Sequence, residues 1–236
     1  MKKLAILQSN YIPWRGYFDL IAHVDLFIFY DDVQFTKNDW RNRNKIKTPK
    51  GTEWLSIPVG KDINRQIRQV EISDSKWKSN HWKTIEFNYR RAKYFDQVAA
   101  LLEPIYTQDN ETNLSIINRR LIEAICNFMG IKTLFNNAWD YKYCEGKTER
   151  LVSLCQQVGA TEYISGPAAK DYLQVTKFEQ SQIKVTWFDY DGYQEYPQLW
   201  GAFENQVSII DLLFNCGKDS NSHLKINSKQ DNHAVI

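Results

Sequence analysis

The 236-residue sequence predicts an α/β fold, Rossmann-like, with a mostly parallel sheet and a helical insertion. Three observations predict it. The chain opens as strand–loop–helix–strand, the first unit of such a fold. From about residue 132 to 190, short apolar runs again alternate with helical patterns. Between them, residues 74–130 read as helical throughout. The expected organisation is one α/β domain over residues 1–217 with its helical insertion at about 74–130, then a polar tail, 218–236, expected to be disordered.

The elements follow in order. "KLAIL" (3–7) is a buried strand. "GYFDLIAHV" is a helix, with Phe18, Ile21 and Ala22 at helical spacing. "DLFIFYDD" is a second strand bounded by acids. "NRNKIKT" and "EWLSIPV" flank the turn "TPKG" as two strands. "SKWKSNHWKTIEFNYRRAKYFDQVAALL" has a helical pattern, and "ETNLSIINRRLIEAICNFMG" is a helix stopped at Gly130. "KTLFNN" is a short strand, "KTERLVSLCQQVGA" a helix with Leu151, Leu154, Cys155 and Val158 on one face, and "TEYISG" a strand ending in a glycine turn. "PAAKDYLQ" starts a helix with Pro167 in its first turn, "IKVTWFDY" is a strand, and "SIIDLLFNCG" a short helix with a glycine stop.

Composition narrows the function. Thirty basic residues against 28 acidic ones leave a net charge of +2, without the basic excess of a DNA-binding protein. No window reaches the ~18 apolar residues of a membrane span. The apolar run after Met1 stops at Gln8, short of a signal-peptide core. The four cysteines, Cys126, Cys144, Cys155 and Cys216, form no CxxC pair, and no histidine pair has metal spacing. These features fit a cytoplasmic protein with reduced thiols, no metal site and no membrane or DNA partner. Aromatic residues reach 14%, and several bunch with Arg and Asn in loops, the chemistry of a site for a flat or sugar-like ligand.

Three stretches carry candidate site residues. The loop after the first strand holds Gln8, Asn10, Tyr11, Trp14, Arg15 and Tyr17. In open α/β sheets ligands sit at the carboxyl ends of strands. "NYIPWRGY" stands where nucleotidyl-transferring α/β enzymes carry a His-x-Gly-His type signature, with Gly16 in the glycine role and Tyr11 and Tyr17 replacing the imidazoles. Tyrosine, with a pKa near ~10, is a poor cation at neutral pH, which weakens an ATP reading. The second stretch, "DDVQFTKNDWRNRN", gathers Asp31, Asp32, Gln34, Lys37, Trp40, Arg41, Asn42 and Arg43. Its carboxylates suit a general base, its cations a phosphate clamp, and its tryptophan a stacking surface. The third, "YISGPAAKDYL", offers Ser165, Gly166 and Lys170 at a strand-to-helix turn of anion-binding type.

Other features carry less. "EGKT" lacks the upstream glycine of a P-loop, with Tyr141 in its place. Cys155 on an apolar helical face reads as packing rather than as a nucleophile. "WRNRNKIK" suits single-stranded RNA, but the near-neutral chain opposes it.

Three blocks together, "QSNYIPWRGYFDLIAHVDLFIFYDDVQFTKNDWRNRNKIKT", "GATEYISGPAAKDYL" and "YPQLWGAFENQVSIIDLLFNCG", resemble the WbqC-like protein family, in order and over nearly the whole chain from Leu4 to about Gly217. Members are encoded in bacterial clusters for O-antigen and other surface polysaccharides, and are linked with glycans carrying amide-modified amino sugars. The resemblance implies a cytosolic enzyme that decorates an amino sugar while it is still nucleotide-linked.

The expected activity is amide-forming acyl or aminoacyl transfer to a nucleotide-linked amino sugar. Local chemistry assigns the roles. Asp31 or Asp32 takes the amine proton, and Asn10 binds the oxyanion with backbone N–H groups of the loop. Arg15, Lys37, Arg41 and Arg43 hold phosphates, Tyr11, Trp14 and Trp40 pack on sugar or base, and Ser165 and Lys170 close the phosphate end. The donor is left open between an acyl thioester on coenzyme A or an acyl carrier protein, which is favoured, and an acyl adenylate made from ATP. The alternatives are a ligase that adenylates a carboxylate with ATP and Mg²⁺, and a non-catalytic nucleotide-sugar or glycan-binding module.

Overall fold

A computed structural model describes residues 1–228 of the chain. Five parallel strands form the main sheet: β1 (Lys3–Leu7), β2 (Leu26–Phe29), β5 (Leu134–Asn137), β6 (Glu162–Ser165) and β7 (Lys184–Trp187), in spatial order β5-β2-β1-β6-β7. The expected α/β fold is present, and its main sheet is wholly parallel. A separate antiparallel hairpin, β3 (Arg43–Thr48) and β4 (Gly51–Ser56), closes through the Thr48–Gly51 pair at the predicted turn.

Side-chain alternation divides the core in two. Ala5, Phe27 and Phe29 face one side of the sheet, together with α1 (Arg15–Ala22), α2 (Trp77–Tyr89), α3 (Phe95–Thr107), α4 (Leu114–Phe128) and α7 (Ile209–Cys216). Leu4, Ile6, Leu26 and Ile28 face the other, against α5 (Lys147–Gln157) and α6 (Val175–Gln180). Strands buried on both faces read as unbroken apolar runs, which is why "LAIL" and "LFIF" show no alternation. Successive connections step from β1 through β2 to β5 across one face, then return across the other to β6 and β7. The order reverses between β1 and β6, and a crevice opens at such a switch point.

The insertion comprises α2, α3 and α4, between β4 and β5. The helical pattern over 74–102 is broken at 90–94, where Tyr94 N–H donates to the Phe214 carbonyl at 3.1 Å and ties the bend to α7. Gly130, at φ +74°, ends α4 as its position in the sequence predicts. "PAAKDYLQ" gives only a 3₁₀ turn, Pro167–Asp171, before α6. From residue 189 to 208 the chain has no regular structure and lies as a strap over the α1 side. Among the described residues no helix is long and apolar enough to cross a membrane.

The tail departs from expectation over residues 218–228. A 3₁₀ turn spans Gly217–His223 and a short helix Lys225–Ser228, with Leu224 fully buried in the larger core and the Ile226 N–H on Asp19 Oδ1 at 3.3 Å. Two apolar side chains in a polar stretch, Leu224 and the partly buried Ile226, dock it on the larger core. Residues 229–236 lie outside the described residues. Leu224→Ala is expected to cost about 2–5 kcal/mol, read as a lowered urea midpoint with an unchanged slope.

Candidate functional site

The loop after β1 is held from four directions. Ser9 N–H donates to Asp31 Oδ1 at 2.7 Å. Tyr11 buries its ring completely and pairs its hydroxyl with His81 Nδ1 at 2.8 Å and the Tyr106 hydroxyl at 2.6 Å. The Ile12 carbonyl accepts from Asn44 Nδ2 at 2.9 Å and from Ser208 Oγ at 2.7 Å. The Pro13 carbonyl accepts from the Ile209 N–H at 2.9 Å. Ile12 has φ +35°, a strained value for a β-branched residue, and these bonds hold it there.

Two cavities meet at this loop. The first, about 450 Å³, lies at the β1/β6 switch point. Gln8, Asn10, Tyr30, Arg41, Lys147 and Tyr163 line it, with Tyr172 and apolar Leu7, Val33 and Leu151. The second, about 410 Å³, has aromatic walls of Trp14, Trp40 and Tyr190 and a polar edge of Asn44, Asp191, Asn205 and Gln206. Both lie within the 300–1,000 Å³ usual for small-molecule sites. Asn10 lines both. Arg41 donates to Asn10 Oδ1. Because guanidinium only donates, this bond fixes the amide orientation and leaves Nδ2, a donor without a partner among the described residues, at the junction.

Of the expected site residues, Gln8, Asn10 and Arg41 meet in the switch crevice, and Asn10, Trp14 and Trp40 in the aromatic cavity. A Cβ on Gly16 would fall 2.4 Å from the Trp14 indole, so glycine here makes room for that ring rather than for a phosphate.

The remaining expected residues do other work. Asp31 is fully buried, its second oxygen accepting from Ser115 Oγ at 2.5 Å. Burial raises its pKa against those hydrogen bonds, and it lines neither cavity. It is a brace, not an accessible base. Asp32 pairs with Arg150 of α5, both side chains 7% exposed. Its Oδ1, and Arg150 Nε and Nη1, are buried without partners. The pair lines neither cavity, but the Arg150 guanidinium lies 5.5 Å from the ring centroid of Tyr30, which lines the crevice.

Tyr11 and Tyr17 are core residues and not ligand contacts; the Tyr17 hydroxyl donates to the Gln8 carbonyl at 3.0 Å. Arg15, expected on phosphate, is buried and spent on protein: it donates to the Gln194 carbonyl at 2.7 Å and to Asn205 Oδ1, and lies 4.7 Å from the Tyr193 ring centroid. Asn42 is buried and donates to the Ile57 carbonyl at 2.9 Å. Arg43 lies over Trp54 at 4.3 Å, and Gln34 and Lys37 are exposed, Gln34 bridging to Gln66. Ser165 is buried at the end of β6, while Gly166 and the exposed Lys170, its Nζ 5.7 Å from the Trp187 ring, lie outside both linings. The Asp-Asp stretch and the Ser165 turn therefore contribute less than their composition suggests: Asp31, Asp32 and Asn42 bond within the protein, and Gln34, Lys37, Arg43, Ser165 and Lys170 lie outside both linings.

The structure adds Tyr30, Lys147, Tyr163 and Tyr172 to the crevice and Tyr190, Asp191, Asn205 and Gln206 to the aromatic cavity. Lys147 had a signal in "EGKT": the motif is no P-loop, yet it places a lysine at the first turn of α5 beside the crevice. The strap residues had none, since only tertiary packing brings 190–206 against residue 14. Cys155 is fully buried in the smaller core with its thiol pushed up to about 12 by burial, an inert setting.

Comparison with known proteins agrees with the sequence blocks. The model of the WbqC-like protein family matches residues 8–223. The chain belongs to this family. An uncharacterized protein, Rv1507c, of Mycobacterium tuberculosis (strain ATCC 25618 / H37Rv) is 55% identical over 228 residues, covering 95% of this chain and 98% of its own. No solved structure matches the chain significantly. The family match begins at Gln8, the first residue of the site loop, and covers the whole lining of the aromatic cavity and all of the crevice lining except Ile6 and Leu7.

His81 holds the loop through Tyr11, and burial lowers its pKa to about 4. An unfolded histidine titrates near ~6.5, so between these values the unfolded chain binds the extra proton. Stability from this group is full above pH ~6.5 and is lost as pH falls through about 4. Urea unfolding across that window should show a slope of up to about 1.4 kcal/mol per pH unit from this group. His81→Gln should remove that component, and an unchanged slope would mean that His81 is not held neutral.

Proposed function

We propose that this protein transfers an acyl or aminoacyl group from a thioester to the amine of a nucleotide-linked amino sugar. The observation that carries the reading is Asn10: one amide, locked by Arg41, presents a free N–H donor where a cationic crevice meets an aromatic cavity. The resemblance to a family tied to amide-modified glycans supports the same chemistry.

The crevice suits the diphosphate. Arg41 and Lys147 line it, α5 begins at Lys147, and the Tyr30 and Tyr163 side chains flank it. In the transfer, the neutral amine nitrogen attacks the thioester carbonyl carbon and a C–N bond forms. The carbonyl electrons move to oxygen, and Asn10 Nδ2 donates to that oxyanion. Collapse breaks the C–S bond. The thiolate leaves and takes up one of the two protons lost from the substrate ammonium; the other passes to solvent.

Asn10→Ala is expected to lower kcat by about 10²–10³-fold with a smaller change in KM. The substrate is found first by thermal shift with nucleotide sugars, coenzyme A thioesters and ATP–Mg²⁺. A ligand at a hundredfold its Kd adds about 2.7 kcal/mol, a rise of roughly 5–10 °C for a chain of this size. Shifts with nucleotide amino sugars and thioesters, and amide product from the pair without ATP, support the reading. A shift confined to ATP–Mg²⁺ with pyrophosphate release, or binding without turnover, overturns it.

A further inference from the structure

We propose that the aromatic cavity is the amino-sugar subsite and that the Asp191 carboxylate receives the sugar's ammonium group. This rests on the reading above, and it replaces Asp31 and Asp32 as the amine's partner.

Elimination and geometry agree. Asp31 is sealed in the core with both oxygens bonded, and Asp32 is paired with Arg150. Asp191 is the one carboxylate that lines either cavity among the described residues, and its side chain has no partner there. An amino sugar needs an apolar face for its ring, hydrogen-bonding groups for its hydroxyls and an anion for its ammonium. Trp14, Trp40 and Tyr190 supply the first, Asn205 and Gln206 the second, Asp191 the third. Asn205 Oδ1 is held by Arg15, which leaves its Nδ2 as the donor.

The carboxylate is positioned from both sides. Two residues before it, Asp189 is bound by Lys225 Nζ, at 2.9 Å from Oδ2, and accepts the Asp191 N–H at 2.9 Å. Two residues after it, the Tyr193 hydroxyl donates to Asp19 Oδ2 at 2.7 Å. The Arg15 bond to the Gln194 carbonyl fixes the next step of the strap. A carboxylate presented on an anchored segment, beside aromatic walls and within the cavity that Asn10 shares, can accept one proton from the ammonium. That frees the nitrogen lone pair near the oxyanion donor.

The test uses UDP-, dTDP- and GDP-linked aminohexoses, each paired with the hexose that carries a hydroxyl in place of the amine, by titration calorimetry on the full chain. The wild type is expected to bind an aminohexose at least about tenfold more tightly than its hydroxyl partner. Asp191→Asn should bring that ratio close to one while leaving affinity for the hydroxyl partner and the unfolding midpoint unchanged. Asp191→Glu should restore part of the preference, and Trp14→Ala should weaken both ligands. A ratio that survives Asp191→Asn overturns this assignment while the transferase reading stands. Failure of every nucleotide hexose to bind the wild type overturns the transferase reading and this subsite with it.

Discussion

The buried carboxylate of Asp31 is the constraint on which the site depends. It follows β2, yet it binds the backbone after β1 at Ser9 and the α4 hydroxyl of Ser115, while its own carbonyl accepts from the Arg68 N–H at 2.8 Å. Asn118 continues the knot, donating to the Arg41 carbonyl at 2.8 Å and to Ser9 Oγ at 3.2 Å. Five segments, at Ser9, Asp31, Arg41, Arg68 and Ser115–Asn118, are thus tied at the carboxyl ends of adjacent strands. Burial opposes the charge and raises the pKa, and the Ser115 and Ser9 donors counter it only in part. Without that carboxyl group the loop carrying Asn10 would lose its tie to the chain after β2 at Ser9, and α4 its tie through Ser115.

The same economy governs the cations and the tyrosines. Arg15 and Lys47 look like ligand-binding charges, but both staple the strap: Lys47 Nζ reaches Gln198 Oε1 at 2.5 Å and also the Ala202 carbonyl. Tyr89 and Tyr196 donate to Asp211 at 3.0 and 2.8 Å inside the core. A tyrosine buries a large ring and still finds an acceptor for its hydroxyl, so a chain rich in tyrosine can fill its core with side chains that also brace it. The high aromatic content therefore serves two purposes, and the smaller part of it faces the cavities.

The doubly wound topology explains where the cavities lie. The reversal between β1 and β6 keeps the flanking connections apart at one end of the sheet, and the loop after β1 sits there. On one side it meets α5, Tyr163 of β6 and Tyr30 just past β2. On the other it meets the strap, which Arg15 and Lys47 hold down. The amide of Asn10 belongs to both sides because its loop is fixed in a strained conformation at Ile12 rather than left to relax.

The sequence by itself determined the strands and the parallel character of the sheet, and it singled out the loop at 8–17 whose residues line both cavities, since apolar runs, turn residues and helical spacing are local signals. It also pointed to Asn10, Trp14, Trp40 and Arg41. Only the tertiary structure decided which polar groups are free. Asp31, Arg15, Asn42, Tyr11 and Tyr17 have the composition of site residues and are consumed by internal bonds, because a buried donor or acceptor must find a partner wherever the fold supplies one. Asp191 carries no such signature and Lys147 only that of an incomplete P-loop motif; both reach the cavities because a strap and a crossover helix bring them there. Which residues are near a strand end is written locally; which of them still have an empty hydrogen bond to offer depends on contacts across more than a hundred residues of chain, such as the 179 between Arg15 and Gln194.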